Sequence, residues 1–260
     1  MIPIPTTIAG AAKRVCFLLS VLISGSVCAQ DFDFLPAEIE GHQILRYEHF
    51  VISYNEEHEQ PDWVAYELTD DEVDMDGIRC KDCFKRDENV TTGSATPTDY
   101  RNTGFDRGHI APSADFYQSE EANRQTFLMS NMSPQSPGLN QGVWADLEDW
   151  VRETALEFGT LYVVTGPVFV NNLGSIGTNE VTIPGYFYKV LLRFDRNGSA
   201  KTIGFLLPNV GASDKLTDYV VPVNLIETLT GIDFFPALPS RVENRNEAQF
   251  AASSWGLTDE

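Results

Sequence analysis

The alternation of apolar and polar positions marks the first part of the chain as sheet-forming. Ile44–Tyr47, Phe50–Tyr54 and Trp63–Leu68 combine a two-residue period with aromatic and β-branched residues, which suits half-buried strands in an antiparallel start to a sheet. Thr69–Asp76 is acidic and turn-like, and residues 79–101 carry no period of either kind. A loop of that length inside a compact domain usually serves function. Ser119 predicts the cap of a short exposed helix over Ser119–Phe127, and Phe127–Asn131 reads as a short buried segment. Val143, Trp144, Leu147, Val151 and Ala155 recur at three- and four-residue steps, predicting a helix over Asn140–Phe158 that Gly159 stops.

The remaining pattern returns to strands. Leu161–Val164 is an apolar run ended by Thr165-Gly166-Pro167, and Tyr186–Phe194 and Lys201–Leu207 flank Asp195-Arg196-Asn197-Gly198. Asn-Gly adopts positive φ readily, which predicts a hairpin there. Val223–Thr230 predicts a short helix ended by Gly231, and the polar tail beyond Arg245 is expected to fray. Antiparallel clusters of strands with helices between them define an α+β fold with a central, mainly antiparallel sheet flanked by helices.

The beginning of the chain follows a different rule. Lys13 and Arg14 precede the apolar run Val15–Ile23, and Val27-Cys28-Ala29 ends it with a small residue, the layout of an export signal cleaved after Ala29. A lipoprotein reading of Gly25-Ser26-Val27-Cys28 fits less well, because valine stands directly before the cysteine. Val15–Ile23 is too short for an ordinary membrane span, and no later segment is long enough. Residues 30–260 then form a single domain, with a core over about 44–240 and a C-terminal tail over 246–260, in a secreted or periplasmic protein.

Charge alone argues against an anionic partner. Residues 1–29 hold two basic and no acidic residues, so their removal takes the formal charge from -20 to -22. Cleavage after Ala29 leaves two cysteines, Cys80 and Cys83 in Cys-Lys-Asp-Cys, without a second pair for a four-ligand zinc site. In an oxidising compartment they suit a small structural disulfide, with a catalytic dithiol as the alternative.

Candidate chemistry concentrates in Asp106-Arg107-Gly108-His109 and in the stretch from Asn131 to Arg152. His109 stands apart from His42, His49 and His58, which suits a single working imidazole better than a histidine metal cage. On one helix Asn140 and Glu148 would stand about 80° and roughly 12 Å apart, sharing a face without both ligating one ion. If Asn140 held a metal, Glu148 would reach only a metal-bound water or a neighbouring arginine; Arg152 is placed to pair with Glu148 at i+4. A lone amide ligand suits magnesium, which keeps most of its waters and takes further ligands from a phosphate. A neutral histidine could then accept the proton of the attacking water.

Asp106-Arg107-Gly108-His109, Asn131-Met132-Ser133-Pro134-Gln135 and Leu139-Asn140-Gln141-Gly142-Val143-Trp144-Ala145-Asp146-Leu147-Glu148 together resemble the DNA/RNA non-specific endonucleases. Tyr100–Phe105, Val164–Pro167, Ile183-Pro184 with Lys189-Val190, and Ile226–Phe235 extend the resemblance over about residues 44–240. It implies a ββα-metal site in which a hairpin presents His109 and the following helix presents Asn140. His109 would be the general base, Asn140 the magnesium ligand (manganese being the alternative ion), and Glu148 a partner of metal-bound water. Arg107 and Arg152 would hold or neutralise phosphate, Asn131 would order the site, Asp106 would be scaffolding, and Gly108 would let the backbone turn.

The implied function is a secreted nuclease of DNA and RNA that leaves 5'-phosphate and 3'-hydroxyl ends. A homodimer and a protein inhibitor stay open as partners, and no membrane partner is implied. The loop around Phe84-Lys85-Arg86-Asp87 departs from the family pattern, leaving open which of Arg79, Lys81, Lys85 or Arg86 meets substrate. Two rivals are an inactive nuclease-like binding module and an exported thiol oxidoreductase using Cys80 and Cys83.

Overall fold

The computed structural model describes residues 34–258 except 78, 82, 211, 212, 214 and 251; the expected export signal lies outside them. The elements run β1 (Gln43–Arg46), β2 (Val51–Asn55), β3 (Gln60–Leu68), α1 (Asp70–Val73), β4 (Asp106–His109), α2 (Glu120–Gln125), β5 (Met132–Gln135), α3 (Pro137–Asn140), α4 (Val143–Phe158), β6 (Leu161–Val168), β7 (Ser175–Ile176), β8 (Val181–Thr182), β9 (Tyr186–Phe194), β10 (Ala200–Pro208), β11 (Val220–Val221), α5 (Val223–Thr230) and α6 (Ser240–Glu247). Seven strands form one antiparallel sheet in the order β1-β2-β3-β6-β9-β10-β11, while β4 pairs with β5 and β7 with β8 in separate ribbons. The α+β expectation holds. No helix of the described residues is long and apolar enough to cross a membrane.

Strand parity divides the core. On β9, Phe187 and Leu191 join the cluster that includes Trp144, Leu147 and Val151 of α4, whereas Tyr188, Val190 and Leu192 join a second cluster with Ile226, Phe234 and Phe235. Both faces of the sheet are therefore covered, which explains why β9 is apolar at almost every position. Lys189 falls on the α4 face by the same parity and is fully buried.

Several local expectations change. Thr69–Asp76 contains a helical turn, because the Thr69 hydroxyl accepts from the Glu72 N–H while the Glu72 carboxylate accepts from the Thr69 N–H. The long helix starts at Val143 rather than Asn140. Ser136 caps a separate turn with Pro137 in its first helical position, and Gly142 (φ -116°, ψ -124°) breaks the chain before α4. The tail does not simply fray: Trp255 is buried beside Trp150 and Phe158, and the Arg193 guanidinium lies 4.8 Å from its ring.

Candidate active site

The β4–β5 ribbon carries the histidine. His109 closes β4 opposite Met132, and Asn131 fixes the chain just beyond it. The Asn131 carbonyl accepts from the Ile110 N–H (3.0 Å), its Oδ1 accepts from the Ala111 N–H (2.9 Å), and its Nδ2 donates to the Ala111 and Thr126 carbonyls (2.9 and 2.8 Å). This fully buried amide satisfies backbone groups that water cannot reach and pins the chain just beyond His109. At the other end of the ribbon, Asn209 accepts from the Ser136 N–H and donates to the Pro134 carbonyl, tying the entrance of α3 to the main sheet.

Gly108 has a different role from the expected turn. It lies within β4, and a Cβ there would stand 2.1 Å from Gln135 Oε1 and 2.3 Å from its Cδ. The neighbouring strand's side chain occupies the space that any other residue would need.

His109, Arg107, Asp106, Asn140 and Glu148 line one cavity of about 420 Å³, together with Arg79 and Phe84. His109 is 9% exposed, and its Nε2 has no hydrogen-bond partner among the described residues. Its ring meets Phe127 edge-on at 4.8 Å. Burial, reinforced by the positive charges of Arg79 and Arg107, pushes the imidazole down to about 3. It is therefore neutral near neutral pH, the state a proton acceptor requires.

Asp106 Oδ2 accepts from Asn140 Nδ2 at 2.9 Å and from Gln141 Nε2 at 2.8 Å. A carboxylate can only accept, so the Asn140 amide must present its NH₂ to Asp106 and its Oδ1 elsewhere. Asp106 thus holds the candidate metal ligand in place. Although Asn140 and Glu148 sit on separate helices, they reach the same cavity.

Arg107 makes no ion pair among the described residues; its guanidinium stacks 4.1 Å from the Phe84 ring centroid, which fixes the plane while leaving the N–H groups for a ligand. Of Arg79, Lys81, Lys85 and Arg86, Arg79 is the one that lines the cavity, where it lies 5.3 Å from the Phe127 ring. Lys85 and Arg86 line a larger cavity of about 730 Å³ that contains none of the motif residues.

Arg152 departs from expectation. It donates to Asp115 Oδ1 at 2.9 Å and also to Asp149, and it does not line the cavity that holds His109. Asp115, buried and also held by the Tyr66 hydroxyl at 2.8 Å, therefore takes the arginine expected to pair with Glu148. Behind Glu148, Lys189 Nζ donates to Thr165 Oγ1 at 3.3 Å and lies 4.8 Å from the Trp144 ring. Burial raises the Glu148 carboxyl to about 7, with Asp115 adding to the rise and Lys189 and Arg152 opposing it. Asp115 carries no motif signal; Lys189 falls within the family resemblance through Lys189-Val190, but only strand parity places it on the α4 face beside Glu148.

Cys80 and Cys83 are disulfide-bonded. Arg79 directly precedes the pair and Phe84 directly follows it, so the short covalent ring stands between two residues of the cavity wall.

The family model for DNA/RNA non-specific endonucleases matches residues 35–241. Human mitochondrial endonuclease G is 32% identical over 212 residues, covering 76% of this chain and 71% of that protein. Nuclease C1 of Cunninghamella echinulata var. echinulata is 37% identical over 209 residues, covering 75% and 83%. Among solved structures, the crystal structure of the EndoG/EndoGI complex superposes with a TM-score of 0.72 at 28% identity, covering 76% of this chain and 87% of that one. The chain belongs to the DNA/RNA non-specific endonucleases, hydrolases that act on the phosphodiester bonds of nucleic acids.

Proposed function

We propose that this chain is an exported, magnesium-dependent endonuclease that hydrolyses DNA and RNA to 5'-phosphate and 3'-hydroxyl ends. The observation that carries the reading is the pairing of Asp106 with Asn140 in the cavity that holds His109. Export rests on the sequence of residues 13–29.

The residues fit a sparsely ligated hard cation. Asn140 has its amide oxygen turned from Asp106, and Glu148 stands in the same cavity, while no group of three His, Cys, Asp or Glu side chains among the described residues is arranged to hold a metal. Asn140 Oδ1 would hold the ion and Glu148 would accept from its water; when bound, magnesium supplies Lewis-acid stabilisation of charge on the phosphate and leaving oxygen. His109 accepts the proton of the attacking water through its neutral imidazole. Arg107 donates to the phosphate from its stacked position on Phe84, and Arg79 adds positive charge across the cavity. Asn131 holds the His109 segment, and Arg152 acts indirectly by engaging Asp115 near Glu148.

Digestion of duplex DNA and of RNA during magnesium and manganese titrations, with labelling of the product ends, tests this reading. Magnesium-dependent internal cleavage of both polymers, with 5'-phosphate ends, is expected. Binding without cleavage would favour the inactive module. Disulfide-exchange activity in place of cleavage would favour the oxidoreductase. A homodimer and a protein inhibitor belong to the same proposal as partners, testable by solution mass and by inhibition of cleavage.

A further inference from the structure

We propose that the Cys80–Cys83 loop and α2 form a second phosphate seat, built on Arg79, Lys81 and Arg124, that grips the nucleic-acid backbone beside the cleaved bond. The proposal rests on the nuclease reading and assigns a role to a loop that departs from the family pattern.

A cavity of about 290 Å³ is lined by Arg79, Cys80, Lys81, Glu120, Asn123 and Arg124. Arg79 also lines the catalytic cavity, so the two spaces meet at one guanidinium. Among the described lining residues three cations stand against one carboxylate, Glu120, with Glu121 beside Arg124, so the cations still outnumber the carboxylates locally in a chain with 38 acidic and 18 basic residues. Such a local inversion of charge is what an acidic protein requires to hold a polyanion.

The seat is built rather than merely populated. The disulfide closes a ring of four residues, which restricts Lys81 inside it and Arg79 next to it. The Cys80 N–H donates to Asn123 Oδ1 at 2.8 Å, and Asn123, 2% exposed, donates in turn to the Ser113 carbonyl at 2.7 Å. The loop is thereby fastened to α2, whose Arg124 supplies the third cation. Among the described residues Arg124 pairs with one carboxylate, Glu121 at 3.8 Å, and both side chains are about half exposed or more (48% and 62%). An exposed pair of that kind is weak and screened by solvent, so the guanidinium can exchange it for a phosphate. The larger neighbouring cavity shares Arg124 but carries as many carboxylates as cations, so the cationic path ends there.

The test is equilibrium binding of a short fluorescent DNA duplex in the non-cleaving His109→Ala background, with magnesium, across a salt series. Adding Lys81→Ala and Arg124→Ala is expected to weaken binding about 5- to 20-fold at low salt and to flatten the log–log salt slope by about 0.9, the share of one duplex phosphate. A charge-matched control, Lys201→Ala with Arg241→Ala, removes two cations outside the seat and is expected to leave the slope unchanged. An unchanged slope in the first variant, or the same change in the control, overturns the seat. Failure of the parent background to bind nucleic acid at all would instead overturn the nuclease reading.

Discussion

Asp106 Oδ2 and Asn140 Nδ2 are joined by a 2.9 Å hydrogen bond across 34 residues of sequence. That bond links the histidine strand to the candidate metal ligand and selects one of the two faces of the Asn140 amide. Asp106→Ala frees the amide to rotate, and the magnesium concentration for half-maximal cleavage is expected to rise about 10- to 100-fold, the usual effect of losing a group that orients a metal ligand. Asp106→Asn, which keeps an oxygen for Asn140 Nδ2, should lie between the two. Equal magnesium dependence in all three proteins would contradict the role.

Gly108→Ala tests the close approach of β4 to Gln135. The new Cβ must displace a fully buried side chain, at a cost of about 1–3 kcal/mol. Combining it with Gln135→Ala removes the colliding atoms and should recover much of the loss. Denaturant midpoints measure both effects, and additive losses would contradict the steric account.

Stability below neutral pH should carry the signature of His109. Its folded pKa is depressed, so the unfolded chain takes up a proton below the ordinary 6.5 while the folded chain resists down to about 3. The stability associated with this group is complete above pH 6.5 and is lost as the pH falls through that window. Between about pH 7.5 and about pH 5, wild type is expected to lose about 2 kcal/mol more than His109→Gln, since carboxylates common to both largely cancel. Chemical denaturation at the two pH values decides, and equal losses would contradict a buried neutral imidazole.

Lys189→Met removes one cation from the group it forms with Arg152, Asp115 and Glu148. Glu148, already raised to about 7, then loses a cation that opposes its rise and takes up a proton, which holds the expected loss to about 1–3 kcal/mol. Adding Glu148→Gln makes that position neutral outright, and the double-mutant cycle is expected to be non-additive. A loss in Lys189→Met below about 1 kcal/mol would show that the lysine is not electrostatically engaged.

What the sequence disclosed followed from local rules. Tyr186–Phe194 is the strand its pattern indicated, and Gly198, at φ +78°, makes the tight connection that Asn197-Gly198 indicated. The motif residues Arg107, His109, Asn140 and Glu148 do converge on one cavity. The start of the long helix was hidden because the apolar period of α4 runs back toward Asn140, whereas Ser136-Pro137 starts a separate turn and Gly142 interrupts the backbone. The partner of Arg152 was hidden for another reason: the i+4 rule sees only the helix itself, and Asp115 arrives from 37 residues earlier. Trp255 likewise lies in a polar tail whose composition says nothing of the aromatic niche beside Trp150 and Phe158. Lys189 belonged to the family resemblance, but only the packing of α4 on its face of the sheet gives it carboxylate neighbours.

The central claim is that the buried imidazole of His109 takes the proton of the attacking water in a metal-assisted cleavage. The most direct test is kcat/KM on duplex DNA at saturating magnesium for wild type and His109→Ala, with folding of the variant verified by circular dichroism. A loss of about 100- to 10,000-fold in a folded variant is the expected result; a folded variant within about tenfold of wild type would contradict the assignment.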